Sequence, residues 1–444
     1  MIISSIKKLS LIILVLSCSC FSQEPNFNQL NKFLNILEDN NKLMATMTIT
    51  SNNSKVFSKS VGFSNVNAEI KNNENTRFRV GSISKAFTAV MIFQLIEEGR
   101  ITLETPLSMF YPKVPGSEKI KISNLLNHSS GLYNITNHPD FGDWMLKPST
   151  KKQMLTRIES YALDFEPGEQ TEYSNTNYLL LGYIIEALDK ELFAQCLNRR
   201  IVEKLGLEHT YYGGKINSDN NESHSYVFED KMWNILPETD MSNPGGAGAI
   251  VSTSGDLVIF MNALFNGKLI TSSSLEVMKK TNNNEVCHGL FYANMNGVDL
   301  YASEGGIDGF QSMLVHVPQT KTTLALVANG LDFSKMRIML AAFAASHGQP
   351  ITLPNFTRIE LTEEQVKLYV GEYACDEVPY KLIFKAKGNI LLGAPEQSDL
   401  KELTPTKQHQ FTFDTLGVVL DFYPETGLVR FTRGENEPLL FKKL

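Results

Sequence analysis

Strand-like and helix-like segments are segregated along residues 40–346, and this order restricts the folds that the chain can adopt. Apolar or alternating segments predict early strands at 43–50, 56–62 and 78–80. Similar segments predict late strands at 289–295, 300–302, 313–317 and 322–328. Because early and late strands can pair in one antiparallel sheet, we expect a mixed α/β domain with helices flanking that sheet.

Most of the segments with helical periodicity lie between the two sets of strands. Apolar residues at helical spacing predict helices at about 23–40, 150–161, 177–189, 191–205, 254–266 and 335–346, with a short helix opening at 122. We therefore expect the middle of the chain to form a helical lobe beside the sheet.

The chain changes character after a Pro-containing linker that we predict at 348–361. Up to eight short alternating segments, separated by turns, follow at 369–373, 380–385, 389–392, 402–405, 410–413, 418–423, 429–432 and 439–443. Short strands at such close spacing are typical of a small β-barrel. We expect residues 362–444 to form this second, all-β domain, after a first domain at 23–347.

The first 22 residues have the parts of a signal peptide. Lys7 and Lys8 precede an apolar run at 9–16, and small residues follow. The run is too short to span a bilayer as a helix. We expect cleavage after Ser22, with lipid attachment at Cys18 as the alternative. The protein would then be exported, either periplasmic or secreted, or anchored as a lipoprotein, without a transmembrane segment.

Charge and cysteine content exclude some classes of partner. The formal net charge is −7, and no basic cluster with interleaved aromatic residues is present, so nucleic-acid binding has no support. Beyond the signal region, Cys196, Cys287 and Cys375 are far apart in sequence and have no zinc-site spacing. We expect no metal and no cofactor. The sequence leaves the oligomeric state open.

The run from Arg77 to Phe87 predicts a strand, a turn at Gly81 and the opening of an apolar helix. Ser82 and Lys85 are three residues apart, so on a helix they share a face and the amine can reach the hydroxyl. A desolvated lysine with a lowered pKa can activate a serine. Ser-x-x-Lys is a weak motif by itself, and the alternative is a helix-capping Ser82 beside a surface Lys85.

Two further runs have polar or glycine-rich patterns that suit catalysis. Tyr173 precedes a predicted helix, and Asn175 follows two residues later. A tyrosine whose pKa a cation depresses can act as a general base; the alternative is a packed tyrosine and a helix cap.

The run Glu304–Phe310 contains glycines that permit the close backbone approach of an oxyanion hole. A plain hairpin turn would suit the same glycines.

The order Ser-x-x-Lys, Tyr-x-Asn and Gly-rich strand resembles the penicillin-recognising serine hydrolases over about residues 40–346. The closest branch contains class C β-lactamases, D-alanyl-D-alanine carboxypeptidases and related esterases. The runs that carry the resemblance are FRVGSISK at 78–85, LLNHSSGL at 125–132, FEPG at 165–168, YSN at 173–175 and GAGAIVSTSGD at 246–256. The C-terminal region separately resembles a lipocalin-like barrel.

The resemblance implies a role for each of the singled-out residues. Ser82 would be the acylated nucleophile, and Lys85 and Tyr173 would share the proton transfers. Asn175 would orient the substrate, and the backbone N–H groups of Ser82 and Gly306 would form the oxyanion hole. The resemblance also implies that His128 is structural and that no cofactor takes part.

The third motif departs from the pattern of the family. Ser303-Glu304-Gly305 stands where Lys-Thr-Gly or His-x-Gly is usual, so the motif lacks its cation. If Glu304 faces the cleft, its carboxylate repels an anionic β-lactam or D-alanyl carboxylate. Because side chains alternate along a strand, Glu304 could instead face away as a solvated charge.

These observations predict an exported serine hydrolase that cleaves amides or esters through a Ser82 acyl-enzyme. Small peptides, peptidoglycan fragments and small esters are the expected substrates. A true β-lactamase or D,D-carboxypeptidase is the alternative among enzymes. A non-catalytic binding protein that keeps the fold is the alternative from another class, because the third motif is altered.

Overall fold

The structure is a computed structural model that describes residues 24–282, 285–295, 297–433 and 437–444. The predicted signal peptide at 1–22, with Cys18, lies outside the described residues. No helix within the described ranges has both the length and the apolar character needed to cross a membrane.

Helices are distributed along both halves of the chain. The α-helices are α1 Phe27–Asp39, α2 Ser84–Glu97, α3 Ile122–Leu126, α4 Phe141–Trp144, α5 Lys151–Glu159, α6 Asn175–Asp189, α7 Phe193–Leu197, α8 Glu203–Leu205, α9 Ser254–Phe265, α10 Ser272–Met278, α11 Lys335–Ser346 and α12 Glu363–Lys367. The 3-10 turns are Gly81–Ile83, Leu107–Met109, Ile135–Asn137, Ser218–Asn220, Gly245–Ala247 and Asp414–Leu416, and Asn198–Val202 is π-helical.

In the part of the chain that the structure describes, the strands form two large sheets and two small ones. Those before the last domain are β1 Leu43–Ser51, β2 Ser54–Val61, β3 Phe63–Asn65, β4 Ile70–Lys71, β5 Phe78–Arg79, β6 Tyr211–Tyr212, β7 Tyr226–Glu229, β8 Met232–Ile235, β9 Ile250–Ser252, β10 Phe291–Met295, β11 Val298–Ile307, β12 Phe310–Val317 and β13 Thr322–Leu331. The remaining strands are β14 Gly371–Ala374, β15 Leu382–Lys387, β16 Ile390–Pro395, β17 Lys401–Glu402, β18 Thr404–Lys407, β19 Gln410–Phe413, β20 Val418–Tyr423, β21 Leu428–Arg433 and β22 Leu439–Lys443.

The central sheet joins the two ends of the first domain. Its order is β10-β11-β12-β13-β1-β2, and neighbouring strands on this path are antiparallel. The early strand β1 pairs with the late strand β13, with Met47 opposite Leu326. This confirms the prediction that early and late strands share one antiparallel sheet. It also brings β11, with Glu304 to Gly306, into the same sheet as β1.

Apolar cores lie on both faces of the central sheet. On one face, Leu30, Phe33, Leu34 and Leu37 of α1 have the i, i+3, i+4, i+7 spacing of a single helix face and pack with α11. On the other face, α2 is buried along almost its whole length among α6, α9 and the helical lobe. Each fully buried leucine or phenylalanine contributes roughly 1.5–3 kcal/mol. These cores fix α2, and therefore Ser82 and Lys85, against the sheet.

Some predicted elements differ from the observed ones. The helix predicted at 191–205 is interrupted by the π-helical turn Asn198–Val202, and the strand predicted from Gly289 begins at Phe291. The residues Glu402–Pro405, predicted as one strand, form β17 and β18, because the backbone N–H of Leu403 turns away to bond with Leu391. Local interruptions of this kind depend on tertiary hydrogen bonds and have no distinct sequence pattern.

The last domain is a nearly closed antiparallel barrel of nine strands, in the order β17-β16-β15-β14-β22-β21-β20-β19-β18. Its interior is packed with aromatic side chains, and the Phe422 ring centroid lies 5.0 Å from that of Phe384 and 5.5 Å from that of Phe411. This confirms the all-β barrel. The lipocalin-like character and the domain boundaries stay predictions.

The barrel contacts the first domain at the N-terminus of α11. Lys42 forms an ion pair of 2.6 Å with Asp332, and Thr415 of the barrel donates to the same carboxylate at 3.1 Å. Asp414 lies 3.8 Å from the Lys42 amine. The barrel therefore rests on the segment that immediately precedes Lys335.

Candidate active site

Ser82 lies in a tight turn between a short strand and a buried helix. β5 ends at Arg79, the 3-10 turn Gly81–Ile83 follows, and α2 begins at Ser84. Gly81 has a φ of +51°, a conformation that side chains rarely adopt. The sequence prediction of a strand, a glycine turn and an apolar helix is confirmed, with Ser82 one turn before the helix proper.

Four side chains predicted to act together converge at this turn. Ser82 Oγ lies 2.6 Å from the Tyr173 hydroxyl and 2.9 Å from Lys85 Nζ. Lys85 donates to Asn175 Oδ1 at 2.8 Å and to the Ala247 carbonyl at 2.8 Å. The structure therefore joins residues more than 90 positions apart into one hydrogen-bonded group, within the distances that nucleophilic catalysis requires.

The surroundings of Lys85 favour its neutral form. The side chain is buried, and burial lowers its pKa well below the usual value of 10.5. The Ala247 carbonyl and Asn175 Oδ1 can only accept hydrogen bonds, so they take the two N–H groups of a neutral amine. The lone pair then faces Ser82 Oγ. In this state Lys85 can accept the hydroxyl proton of Ser82.

Tyr173 is held in its protonated form. Burial of its hydroxyl raises the pKa to about 12, the hydrogen bond between the hydroxyl and Ser82 opposes the rise, and the charge of Glu304 adds to it. One edge of the side chain is solvent-exposed, while the hydroxyl faces Ser82. The lowered pKa that a general-base role for Tyr173 requires is therefore not found. A phenol that stays protonated suits a proton donor instead.

Asn175 is oriented by residues that the sequence patterns did not single out. It is the first residue of α6, and its Nδ2 group donates to Thr136 Oγ1 at 3.1 Å and to Asn134 Oδ1 at 3.4 Å. These acceptors fix the amide so that Oδ1 faces Lys85. Asn134 and Thr136 gave no signal in the sequence, and Ala247 lay in the run at 246–256 without an assigned role, because these contacts depend on position in space.

His128 packs against the Tyr173 ring and binds the backbone of the next residue. Its Nδ1 accepts the Ser174 N–H at 3.1 Å, and its ring centroid lies 4.6 Å from that of Tyr173. Burial and the nearby Lys85 charge lower its pKa to about 3, so the imidazole is neutral. These contacts agree with the structural role that the family resemblance implied.

Two glycines let the third motif approach Ser82. A Cβ on Gly305 would lie 2.0 Å from the Val80 carbonyl oxygen and 3.0 Å from the Ser82 nitrogen, and a Cβ on Gly81 would lie 2.8 Å from the Gly306 nitrogen. Ser82 and Gly306 also border one cavity of about 230 Å³. The glycine-rich run is thus a strand pressed against the nucleophile turn, as an oxyanion hole requires.

The cavity beside Ser82 is largely apolar. Ile135, Phe141, Trp144 and Leu179 line it, and Asn175 borders it near Ser82. A narrow recess lies on the other side of Ser82 and is bordered by Lys85, His128, Tyr173, Ser303 and Glu304. The recess has a volume of only about 10 Å³, and Val286, Leu290 and Phe291 also line it. The site therefore offers an apolar cavity on one side of the hydroxyl and, on the other, a narrow recess whose border near Ser82 has charged side chains.

Ser303 and Glu304 both border the recess, but with different exposure. Ser303 is buried, whereas the Glu304 side chain is 56% exposed and forms an ion pair of 2.6 Å with Lys335. The position of Glu304 at the border of the recess agrees with the prediction that it lies beside the cleft. In the folded protein Lys335 of α11 places a cation beside the motif, paired with Glu304. No sequence pattern linked Lys335 to the third motif.

A buried ion pair ties the third motif to the strand before Ser82. Arg79 Nη1 donates to Asp308 Oδ2 at 2.9 Å, and both side chains are almost fully buried. Asp308 Oδ1 accepts the Thr239 N–H at 3.0 Å and its hydroxyl at 2.7 Å. Breaking such a pair by removing one partner costs roughly 3–5 kcal/mol. The pair fixes β11 relative to β5.

One cluster among the described residues has ligand types suited to a metal ion. Asp189, Glu191 and Cys196 lie close enough together to share one ion. Asp189 is already bound to cations, at 2.5 Å from Arg200 and 2.6 Å from Arg100, and burial raises the Cys196 pKa to about 12. A carboxylate held by guanidinium groups and a protonated thiol are poor metal ligands.

The comparisons with known proteins agree with this geometry. The sequence profile of the family described as Beta-lactamase matches residues 34–349. The putative penicillin-binding protein PbpX of Bacillus subtilis (strain 168) is 28% identical over 291 residues, which cover 66% of this chain and 72% of that protein. The teichoic acid D-alanine hydrolase of Staphylococcus aureus is 26% identical over 250 residues, which cover 56% of this chain and 58% of that protein.

A solved structure matches the first domain. The D-amino acid amidase from Ochrobactrum anthropi SV3 superposes with a TM-score of 0.58 at 27% identity, covering 67% of this chain and 92% of the amidase.

Proposed function

The chain belongs to the beta-lactamase family and is a serine hydrolase, and from this premise we propose that it cleaves amides or esters through an acyl-enzyme on Ser82. The observation that carries the proposal is the position of Lys85. Its amine lies 2.9 Å from Ser82 Oγ, and burial favours its neutral form. A neutral buried amine is the base that a serine nucleophile needs.

The positions of the side chains around Ser82 suggest the steps of the reaction. Lys85 takes the Ser82 proton while Oγ attacks the substrate carbonyl carbon, and the N–H groups of Ser82 and Gly306 stabilise the oxyanion. Tyr173 donates its proton to the leaving group and regains one from the Lys85 ammonium. Water then attacks the acyl-enzyme, and the proton transfers run in reverse. Asn175 orients both Lys85 and the substrate carbonyl.

The relatives suggest where to look for substrates. By their names, one relative hydrolyses D-alanine from teichoic acid and another acts on D-amino acid amides. We propose small peptides, peptidoglycan fragments and small esters, with D-amino acid derivatives as the first to be tested. The signal-peptide pattern of residues 1–22 supports export.

The two alternatives have weaker support. A β-lactamase or D,D-carboxypeptidase must bind an anionic substrate, and the carboxylate of Glu304 beside Ser82 opposes such binding. A non-catalytic binding protein would have no need for Ser82, Lys85 and Tyr173 to lie within hydrogen-bond distance of one another.

Covalent labelling tests the proposed function. A fluorophosphonate probe should add one mass increment to the wild-type protein, and peptide mapping should place the adduct on Ser82. Ser82→Ala should show no adduct. Penicillin, used in parallel, reports whether the site also accepts an anionic β-lactam.

Ser84→Ala is the matched control. Ser84 Oγ accepts the Ile250 N–H at 3.0 Å and is buried away from the cleft. Its loss leaves a buried N–H without a partner, so we expect a stability loss of about 1–3 kcal/mol with labelling retained. Equal loss of labelling in both variants would contradict the role of Ser82. The absence of an adduct with every acylating probe would favour the binding protein.

A further inference from the structure

The ion pair between Glu304 and Lys335 places two opposite charges next to Ser82. Lys335 is the first residue of α11, and its side chain is only 12% exposed, whereas that of Glu304 is 56% exposed. A substrate can interact only with the side chain that still has hydrogen-bonding capacity, so the existing bonds of each residue decide which charge is available.

The Lys335 ammonium has no proton left for a substrate. Besides Glu304 Oε1 at 2.6 Å, it donates to Gln311 Oε1 at 3.1 Å and to the Ser312 carbonyl at 3.4 Å. An ammonium group has three protons, so these acceptors occupy all of them. Lys335 therefore cannot replace the missing motif cation in binding a substrate carboxylate without giving up an existing partner.

The Glu304 carboxylate, in contrast, keeps free acceptor capacity. A carboxylate has two oxygens, each able to accept more than one hydrogen bond. Within the part of the chain that the structure describes, Lys335 is the partner recorded for Glu304. The exposed side of the pair is thus the negative one, and it borders the recess beside Ser82.

In the proposed reaction the leaving group departs on the Tyr173 side of Ser82, and it stays in solvent beside the recess, whose volume of about 10 Å³ cannot hold it. Tyr173, the proton donor to the leaving group, borders this recess together with Glu304. Gly306 and Asn175 border the apolar cavity on the other side, where Phe141 and Trp144 suit an apolar acyl group. Glu304 therefore faces the leaving group rather than the acyl group.

We propose that Glu304 is a specificity-determining residue that selects substrates with a positively charged leaving group. The ion pair with Lys335 holds the carboxylate at the recess, where it attracts a cation and repels an anion. This inference rests on the proposed acyl-transfer function and adds the charge class of the leaving group.

Three esters with one acyl group test the inference. Phenylacetylcholine has a cationic leaving group, 3,3-dimethylbutyl phenylacetate is its neutral isostere, and phenylacetyl glycolate is anionic. For the wild-type protein, kcat/KM should fall in the order cationic, neutral, anionic, with about a ten-fold step between the first two. A ten-fold step corresponds to about 1.4 kcal/mol. The preference should shrink at high salt, because the Debye length falls to about 3 Å at 1 M.

Glu304→Gln is the test variant, because its amide oxygen can still accept a hydrogen bond from Lys335. It should bring the three kcat/KM values close together while leaving that of the neutral ester within about two-fold. Glu372→Gln is the matched control, since Glu372 is also a half-exposed carboxylate, 3.2 Å from Lys381 on the barrel. It should keep the wild-type order.

The outcomes separate this inference from the proposed function. Hydrolysis of all three esters at equal rates, or an order unchanged in Glu304→Gln, would overturn the role of Glu304 and leave the Ser82 acyl-enzyme intact. Hydrolysis of none of them, together with no adduct on Ser82, would overturn both.

Discussion

At the scale of single residues, the chemistry depends on what surrounds the Lys85 amine. The Ala247 carbonyl and Asn175 Oδ1 each lie 2.8 Å away and can only accept, so they orient the amine toward Ser82. Burial removes the water that would otherwise stabilise the ammonium form. The same burial keeps Tyr173 protonated, with a pKa of about 12. One environment thus prepares a base and an acid on either side of Ser82.

A buried neutral lysine predicts a particular dependence of stability on pH. Between its lowered folded-state pKa and 10.5, Lys85 is deprotonated when folded and protonated when unfolded. The unfolded state then binds one more proton, so the free energy of unfolding rises with pH, by about 1.4 kcal/mol per unit. In Lys85→Met this contribution is absent. Thermal unfolding over a series of pH values below 10.5 should therefore show the wild type gaining stability relative to Lys85→Met as the pH rises above the lowered pKa of Lys85.

Lys32→Met provides the control, because it removes an exposed lysine of α1 instead of a buried one. The same protonation should reduce kcat/KM on the acidic side of the Lys85 pKa. A stability difference between wild type and Lys85→Met that is constant with pH would show that Lys85 stays charged, and its role as the base would be wrong.

At the scale of elements, the site depends on the approach of β11 to the turn that holds Ser82. Gly81 faces the backbone of Gly306, and Gly305 faces the backbone of Val80 and Ser82, so a side chain on either glycine would collide. The buried pair of Arg79 and Asp308 ties β5 to the end of β11. The geometry of the proposed oxyanion hole therefore depends on the packing of two strands rather than on one flexible loop.

Gly305→Ala tests whether activity depends on the close approach of β11 to the turn that holds Ser82. Its Cβ would lie 2.0 Å from the Val80 oxygen, so either β11 or the Ser82 turn has to move. A displacement of about 1 Å at a reacting group costs on the order of 100-fold in rate. We expect a loss of that size in kcat/KM for a neutral ester, with fluorophosphonate labelling slowed in parallel.

Gly255→Ala is the comparison variant for this experiment. Gly255 lies in α9, and the nearest atom to its added Cβ is 3.7 Å away. Alanine favours a helix over glycine by roughly 0.5–1 kcal/mol, so this variant should be at least as stable as wild type and fully active. Wild-type rates in Gly305→Ala would show that the strand is not in contact with the nucleophile turn.

At the scale of the whole molecule, the barrel contacts the first domain next to the start of the helix that carries Lys335. The ion pair of Lys42 with Asp332 and the bond from Thr415 lie next to the start of α11. The segment between the domains is partly packed on the first domain, where Ile351 is buried and Phe356 lies against Phe333. The barrel interior is filled with aromatic rings. These features indicate a supporting role for the barrel.

Removal of the barrel should leave the chemistry intact. A chain that ends at Thr357 keeps Ile351 and Phe356, and we expect it to fold and to be labelled on Ser82. A chain that ends at Pro350 loses these two contacts, and burial of side chains of this size is worth roughly 1.5–3 kcal/mol each. It should be labelled at Ser82 as well, but with a lower Tm.

Circular dichroism and intact-mass labelling of the two shortened chains decide this prediction. Insolubility of both would mean that the barrel and the first domain form one folding unit.

Sequence alone determined the class of fold, because periodicity acts over a few residues, and the family resemblance of its motifs supplied the prediction of the reacting groups. It predicted the antiparallel sheet from the strands at 43–50 and 322–328, the barrel, and the grouping of Ser82, Lys85, Tyr173 and Asn175. Only the tertiary structure determined the protonation states and the contacts of these residues. The pKa of Tyr173, the acceptor at Ala247 and the ion pair of Glu304 with Lys335 depend on burial and on contacts between residues far apart in the chain. Such contacts leave no pattern in a single sequence, since desolvation and charge pairing are set by distance in space and not by spacing along the chain.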